Sequence, residues 1–277
     1  MTGAEFDHFC QAVKARSGLS LTAEKGYLVR SRLAPVARSE GLADVPALLA
    51  KLKAGAPEEL MQRCVDAMAT HESYFFRDGT PFEQLAQVVV PELVAARPAA
   101  RSLRIWCAAA SSGQEPYSVA MVLQELGGLL AGWRTEIVAT DMSAPILRKA
   151  RDGIYSDFEV RRGLSPERLG RWFSKVGEAW QVSPALKQMI TFRPHNLLQG
   201  VAGLGTFDII LCRNVLIYFE VERKREILAQ LATALAPDGR LFLGSAETVL
   251  GVSSVFEAAP EARGLYRRSQ APAAKIA

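Results

Sequence analysis

Cysteine is sparse in this chain and stands apart: Cys10, Cys64, Cys107 and Cys212, with no CxxC pair. Three scattered histidines add no cluster. Structural zinc needs ligands at short spacings, so no metal is expected. The four thiols are expected to be reduced and mostly buried. Long apolar runs are absent as well. Charged residues interrupt each one well short of the ~18 residues that span a bilayer, so no membrane insertion is expected. The opening stretch MTGAEFDHFCQAVKAR contains acids and lacks the basic head and apolar centre of a secretory signal. A cytoplasmic protein is expected. A net charge of +4 is too small an excess to argue for nucleic acid. Repeats, low-complexity tracts and a GxGxxG fingerprint are also missing. The last of these counts against a nicotinamide-dependent oxidoreductase.

What is present is the composition of a folded protein. Of 277 residues, 49% are hydrophobic and 22% charged, enough for one large core or two modest ones. Only a tail from about Gln270 is expected to fray. Residues 1 to about 88 read as a helical domain. Phe6, Phe9, Cys10 and Val13 share one helical face, and Gly18 ends that helix. A second helix runs from near Thr22 toward Gly41, with a kink at Pro35. Asp44 caps a third over VPALLAKLKAG, and Pro57-Glu58-Glu59 opens a fourth. Short connections make these a small bundle. Residues 89–277 form the second domain. There LRIWC, EIVAT, DIILC and RLFLG alternate with helical stretches, the pattern of an α/β fold with a mostly parallel sheet covered on both faces. The exception is 164–193, where Trp172-Phe173 and Ala179–Val182 are short extended pieces about a turn-like KVGE. That segment is expected to be a small inserted antiparallel β-subdomain.

Ligands of open parallel sheets sit beyond the carboxyl ends of the strands. Four such ends carry suggestive residues. AAASSGQEPYS is a loop of small side chains in which Gly113 allows positive φ. Its Glu115 would repel a pyrophosphate but suits a cationic amine. The alternative is an ordinary tight loop. Asp141, just past EIVAT, either takes two ribose hydroxyls or caps the next helix, with Ser143 the competing cap. Asn196 and Leu197 either read and cover a purine ring or serve as a turn residue and a core leucine. Arg213 and Asn214 directly follow DIILC and are expected to face the cleft, because burying them unpartnered costs a few kcal/mol. Tyr218 lies one helical turn beyond Asn214, and its phenol needs a partner even in a core.

Taken in order, WCAAASSGQEPYSVAM, ATDMSAPILRKARDGIY, HNLL, FDIILCRNVLIYF and LAPDGRLFLGSAET resemble the CheR family. These are S-adenosylmethionine-dependent methyltransferases that modify chemotaxis receptors. The resemblance extends upstream to THESYFFRD and to GLSLTAEKGYLVRSRL…SEGL, covering nearly the whole chain. It implies a Rossmann-like methyltransferase sheet domain with an inserted antiparallel β-subdomain and an N-terminal all-α domain. It implies esterification of glutamate side chains on the cytoplasmic helices of methyl-accepting receptors, with S-adenosylhomocysteine as product. The family's cofactor residues carry over onto Arg77, Glu115, Asp141, Asn196, Leu197, Arg213 and Asn214. His71 and Ser73 stand where the family usually has Asn-x-Thr. Ser73 keeps a hydroxyl, whereas His71 differs in shape and can titrate. Some members hold a receptor C-terminal pentapeptide with a glycine-rich loop in the β-subdomain. Here FSKVGEAWQVS has a single glycine, Gly177, so no such tether is expected.

A glutamate is already ionised near neutrality, with a reference pKa of about 4.3, so this reaction needs no strong general base. In-line placement of oxygen, methyl and sulfur, and exclusion of water, carry the catalysis. Asp141 would take the ribose, Glu115 the methionyl amine and Arg77 its carboxylate. Tyr218 would orient the target carboxylate, which makes Tyr218 and Arg77 the candidate catalytic residues. Lys14, Arg16, Lys25, Arg30, Arg32 and Arg38 crowd the first two helices against Glu24 alone. That is a docking face for acidic receptor helices, or else a solvated surface. Methylation of another substrate and a non-catalytic S-adenosylmethionine-binding signalling module are the competing readings. A monomer is the default.

Overall fold

The computed structural model describes residues 3–260 and 262–269; the expected frayed tail lies outside them. The chain divides into two compact units. One takes the residues up to Thr70 together with Tyr218–Arg223, and the other takes the rest.

The first unit holds α1 (Ala4–Ser17), α2 (Gly26–Ser39), α3 (Val45–Lys53) and α4 (Glu58–Met68). Each buries one stripe. Phe9 and Val13, Val29 and Leu33, Leu48 and Leu52, and Cys64 and Met68 make the core. Gly18 ends α1 at φ 73, and its amide donates to the Lys14 carbonyl. Asp44 caps α3 by accepting the Ala47 amide at 2.8 Å. The second helix begins later than the sequence indicates, because Ala23–Lys25 form a 3-10 turn, and it continues through Pro35 as one element. Arg32 is spent within this unit. Its guanidinium donates to the Met68 and Ala69 carbonyls and to Thr70 Oγ1, closing the end of α4.

The expected domain boundary near residue 88 falls instead at Thr70. The reason is packing. Phe75, Phe76, Phe82, Leu85 and Val89, along the segment that carries α5 (Thr80–Gln84), are buried in the core of the sheet unit. A π-turn joins α5 to α6 (Val90–Ala96).

The large sheet runs in the order β6-β2-β1-β7-β8-β10-β9. Its strands are β1 (Ser102–Ala108), β2 (Arg134–Asp141), β6 (Ile190–Pro194), β7 (Phe207–Cys212), β8 (Leu235–Leu243), β9 (Phe256–Ala258) and β10 (Leu265–Arg268). The first five in space are parallel, and β10 runs antiparallel to both its neighbours. Helices α7 (Gln114–Glu125), α8 (Ala144–Asp152) and α12 (Val221–Ala234) follow β1, β2 and β7. The order reverses at β1, which has β2 on one side and β7 on the other. Ala108 pairs with both Thr140 and Cys212. That register brings Ala109, Asp141 and Arg213 level at the carboxyl edge, where such sheets bind ligands.

The smaller sheet, β3-β5-β4, is antiparallel and consists of β3 (Ile154–Ser156), β4 (Phe173–Val176) and β5 (Ala179–Val182). It reaches further upstream than the expected 164–193, because β3 completes it. The short helices α9 (Asp157–Arg161), α10 (Pro166–Trp172) and α11 (Pro184–Lys187) connect it. A two-residue turn, Gly177-Glu178, joins β4 to β5, with Gly177 at φ 58. This insertion grips the segment ahead of α5. Gly163, at φ 101, sits so close that a Cβ would lie 1.8 Å from the Phe75 carbonyl oxygen. Arg162 donates to Glu72 at 2.9 Å and lies 4.2 Å over the Tyr74 ring. Phe75 meets Tyr155 and Phe173 edge-on.

Candidate active site

The loop after β1 is held open by backbone conformation. Ala109, Ser111 and Gly113 all have positive φ, at 60, 50 and 94. Gly113 is required twice over, since a Cβ there would come 2.9 Å from Ala150 Cβ and 3.0 Å from Tyr155 Oη. Tyr155 Oη donates to the Ser112 carbonyl at 2.7 Å and fixes the loop from outside.

Asp141 ties this loop to the one after β2. One carboxylate oxygen accepts the Ser111 amide at 2.9 Å and the other accepts the Ser143 amide at 3.0 Å. The residue is 7% exposed. Ser143 occupies the N-cap position of α8, so Asp141 is not the cap. A carboxylate offers about four lone-pair sites, and backbone amides take two of them here. Ser111 Oγ is buried with no hydrogen-bond partner. A hydroxyl left in that state beside a half-used carboxylate fits a polyhydroxylated ligand.

Arg213 does not face an open cleft as the sequence reading expected. Its side chain is 1% exposed, and both terminal nitrogens are bonded to residues far away in the chain, while Nε is buried without a partner. It donates to Glu115 at 2.9 Å, to Asp78 at 2.8 Å and to the Arg77 carbonyl at 2.8 Å. Its guanidinium also lies 5.5 Å from the Phe82 ring. Arg213 therefore positions Glu115 and the turn that carries Arg77. Burial pushes the Glu115 carboxyl above the usual carboxylate range, and the Arg213 charge opposes that rise. Arg77 donates to the Glu72 carbonyl at 2.9 Å, with Tyr74 5.5 Å from its guanidinium.

At the end of β6, the His195 amide donates to the Asp141 carbonyl at 3.0 Å, which brings the HNLL loop to the same edge. Asn196 Oδ1 accepts the Leu198 amide, an Asx turn, and Leu197 is buried. The pair is thus placed as a turn residue and a buried leucine. Asn214 has φ 59 and donates its amide to Glu247 at 2.7 Å. His71 and Ser73 lie on the irregular segment before Phe75. Tyr218 closes the 3-10 turn Leu216–Tyr218 and is 36% exposed; it belongs to the helical unit. On α2, Arg30 and Arg38 are exposed, as is Tyr27 at 66%. Lys14 and Arg16 are paired with Glu220 and Glu58.

Sequence reasoning missed Ser111, Asp78 and Glu247. Ser111 and Glu247 lay inside quoted motifs, and Asp78 directly follows the FFR run. Their partners are remote in sequence, so nothing local marked them. Among the described residues no group of His, Cys, Asp or Glu is arranged to hold a metal ion. None of their helices is long and apolar enough to cross a membrane.

Residues 4–69 match the family model described as the CheR methyltransferase all-alpha domain, and residues 71–265 match the CheR methyltransferase SAM binding domain. The chain is 43% identical over 258 residues to a chemotaxis protein methyltransferase of Vibrio parahaemolyticus, covering 91% of this chain and 92% of that one. It is 42% identical over 275 residues to chemotaxis protein methyltransferase 1 of Pseudomonas aeruginosa, covering 96% and 98%. A chemotaxis protein methyltransferase of Escherichia coli is 35% identical over 252 residues, covering 89% and 85%. Among solved structures, magnesium protoporphyrin IX methyltransferase from Synechocystis with bound SAH aligns at TM-score 0.33 and 19% identity, over 63% of this chain and 61% of that one.

Proposed function

The chain belongs to the CheR methyltransferase family, and from that premise we propose that it esterifies glutamate side chains of chemotaxis receptors, using S-adenosylmethionine. The observation that carries this reading is Asp141, a buried carboxylate that joins two strand-end loops and keeps acceptor capacity for two hydroxyls. Ser111 Oγ, buried without a partner, supports it.

When bound, the cofactor supplies a methyl group made electrophilic by a sulfonium. The protein's own residues bind and orient. Asp141 takes the ribose hydroxyls, and Asn196 and Leu197 border the purine. Glu115, held by Arg213, pairs with the amino group, and Arg77 with the α-carboxylate. No base is required, because the target glutamate arrives ionised. Charge is lost as carboxylate and sulfonium combine, so a site that grips the cofactor's ends and keeps water from the middle favours the transition state. Tyr218 orients the incoming carboxylate. The exposed Arg30 and Arg38 on α2 attract acidic receptor helices.

The test is incubation with receptor-containing membranes and cofactor labelled in its methyl group. Base-labile label, mapped to glutamate by mass spectrometry, is the expected result. Label that resists base would assign another substrate. Cofactor binding with no transfer to any membrane protein would overturn the enzymatic reading.

A further inference from the structure

Glu247 collects more backbone donors than any other side chain described here. Its Oε2 accepts the amides of Asn214 at 2.7 Å and Gly244 at 2.7 Å. Its Oε1 accepts those of Val215 at 2.9 Å, Leu216 at 2.6 Å and Ile217 at 3.3 Å. The residue is 8% exposed. Its own amide returns a bond to the Gly244 carbonyl at 2.9 Å. The carboxylate thus binds the loop after β7 to the end of β8, two neighbouring parallel strands.

The loop needs such a fastening. Asn214 holds φ 59, a left-handed conformation that costs a non-glycine residue energy unless its surroundings impose it. Four consecutive amides, 214 to 217, turn toward one point. Without a buried acceptor there, they would remain unsatisfied or the loop would reopen to water. Gly244 completes the fit, since a Cβ there would come 2.7 Å from both Asn214 Nδ2 and Glu247 Oε2.

We propose that Glu247 is a positioning residue for cofactor binding: it sets the backbone after β7 so that Asn214 and Arg213 are preorganised before any ligand arrives. The inference rests on the function proposed above. Glu247 itself touches neither cofactor nor substrate. Its role is to hold the loop whose neighbours do.

Two measurements test it. The first uses the unaltered protein without ligand. Hydrogen exchange should show the amides of Asn214, Val215 and Leu216 protected well beyond those of exposed loops. Exchange at exposed-loop rates would overturn the proposal, and this result needs no variant. The second uses Glu247→Gln, which keeps the shape but replaces one acceptor oxygen with a donor facing backbone amides. Affinity for S-adenosylhomocysteine should fall about 10- to 100-fold, the range expected for a lost charged hydrogen bond. The cofactor KM should rise more than kcat falls. Protection should be lost at residues 214–217 while β1 and β2 remain protected. A folded Glu247→Gln protein that binds within twofold of the original overturns the proposal. If the unaltered protein binds no S-adenosylhomocysteine, the functional reading fails instead, and the exchange result still decides what Glu247 does to the loop.

Discussion

Replacing Arg213 with methionine removes a cation from the least exposed ion pairs in the site. Methionine keeps much of the volume and packs against Phe82, so the change isolates the charge. Three hydrogen bonds are lost, to Glu115, Asp78 and the Arg77 carbonyl, each at 2.8 or 2.9 Å. Asp78 is 29% exposed and recovers water, whereas Glu115 is 13% exposed and recovers little. Removing one partner of a buried pair costs ~3–5 kcal/mol. At about 2–4 °C per kcal/mol for a unit of this size, melting falls by ~6–20 °C at neutral pH. The pH dependence follows from Glu115. Burial raises its folded-state pKa above the ordinary 4.5 and Arg213 opposes the rise, so the variant's pKa climbs further. An acid raised in this way contributes stability fully below its unfolded pKa and loses it as pH rises through the folded value. The variant's deficit is therefore greatest at neutral pH and shrinks as pH falls toward 4.5. Calorimetric melting across that range checks both statements. A variant that melts within 2 °C of the original at neutral pH (about 1 kcal/mol or less), or whose deficit grows on acidification, would refute the reasoning.

Asp141→Asn turns an acceptor into a donor facing the Ser111 or Ser143 amide; S-adenosylhomocysteine affinity should fall by ~1.5–3 kcal/mol in calorimetry, and an unchanged Kd would remove Asp141 from the site. Tyr218→Phe should lower turnover by about tenfold, the worth of one hydrogen bond at its upper range, with little change in cofactor Kd. Equal turnover would exclude the phenol from the reaction. Reversing Arg30 and Arg38 to glutamate should weaken association with an acidic receptor fragment, and association of the unaltered protein should weaken as salt is added; salt-independent association contradicts the docking role. A receptor C-terminal pentapeptide should give no calorimetric signal, because the β4–β5 turn is only two residues long; tight binding would show that a tether exists.

The helices and strands were legible wherever one period dominated. LRIWC, EIVAT and DIILC lie in β1, β2 and β7, and Gly18 and Asp44 end and begin helices as their chemistry directs. The segment 71–88 was not legible. Its apolar residues suit a helical bundle equally well in sequence, and only tertiary packing assigns them to the sheet core. The site divides in the same way. Loop chemistry singled out Asp141 and Glu115, which lie at the strand ends with buried partners, but the reading of Arg213 failed on its surroundings. A polar residue after a buried strand reads as facing a cleft unless its partners are known, and those partners lie 98 and 135 positions away. Arg32 was misread for a similar reason: its charge looked free until the end of α4 was placed beside it.

The grip of Gly163 on the Phe75 carbonyl constrains how this protein can be recombined with its relatives. The inserted sheet is not a detachable cassette. Any side chain at 163 would strike the backbone two residues before Arg77, so a transplanted hairpin must bring its own glycine and a matching strip from Glu72 to Arg77. Chimeras that exchange this insertion therefore inherit the strip from Glu72 to Arg77 along with it.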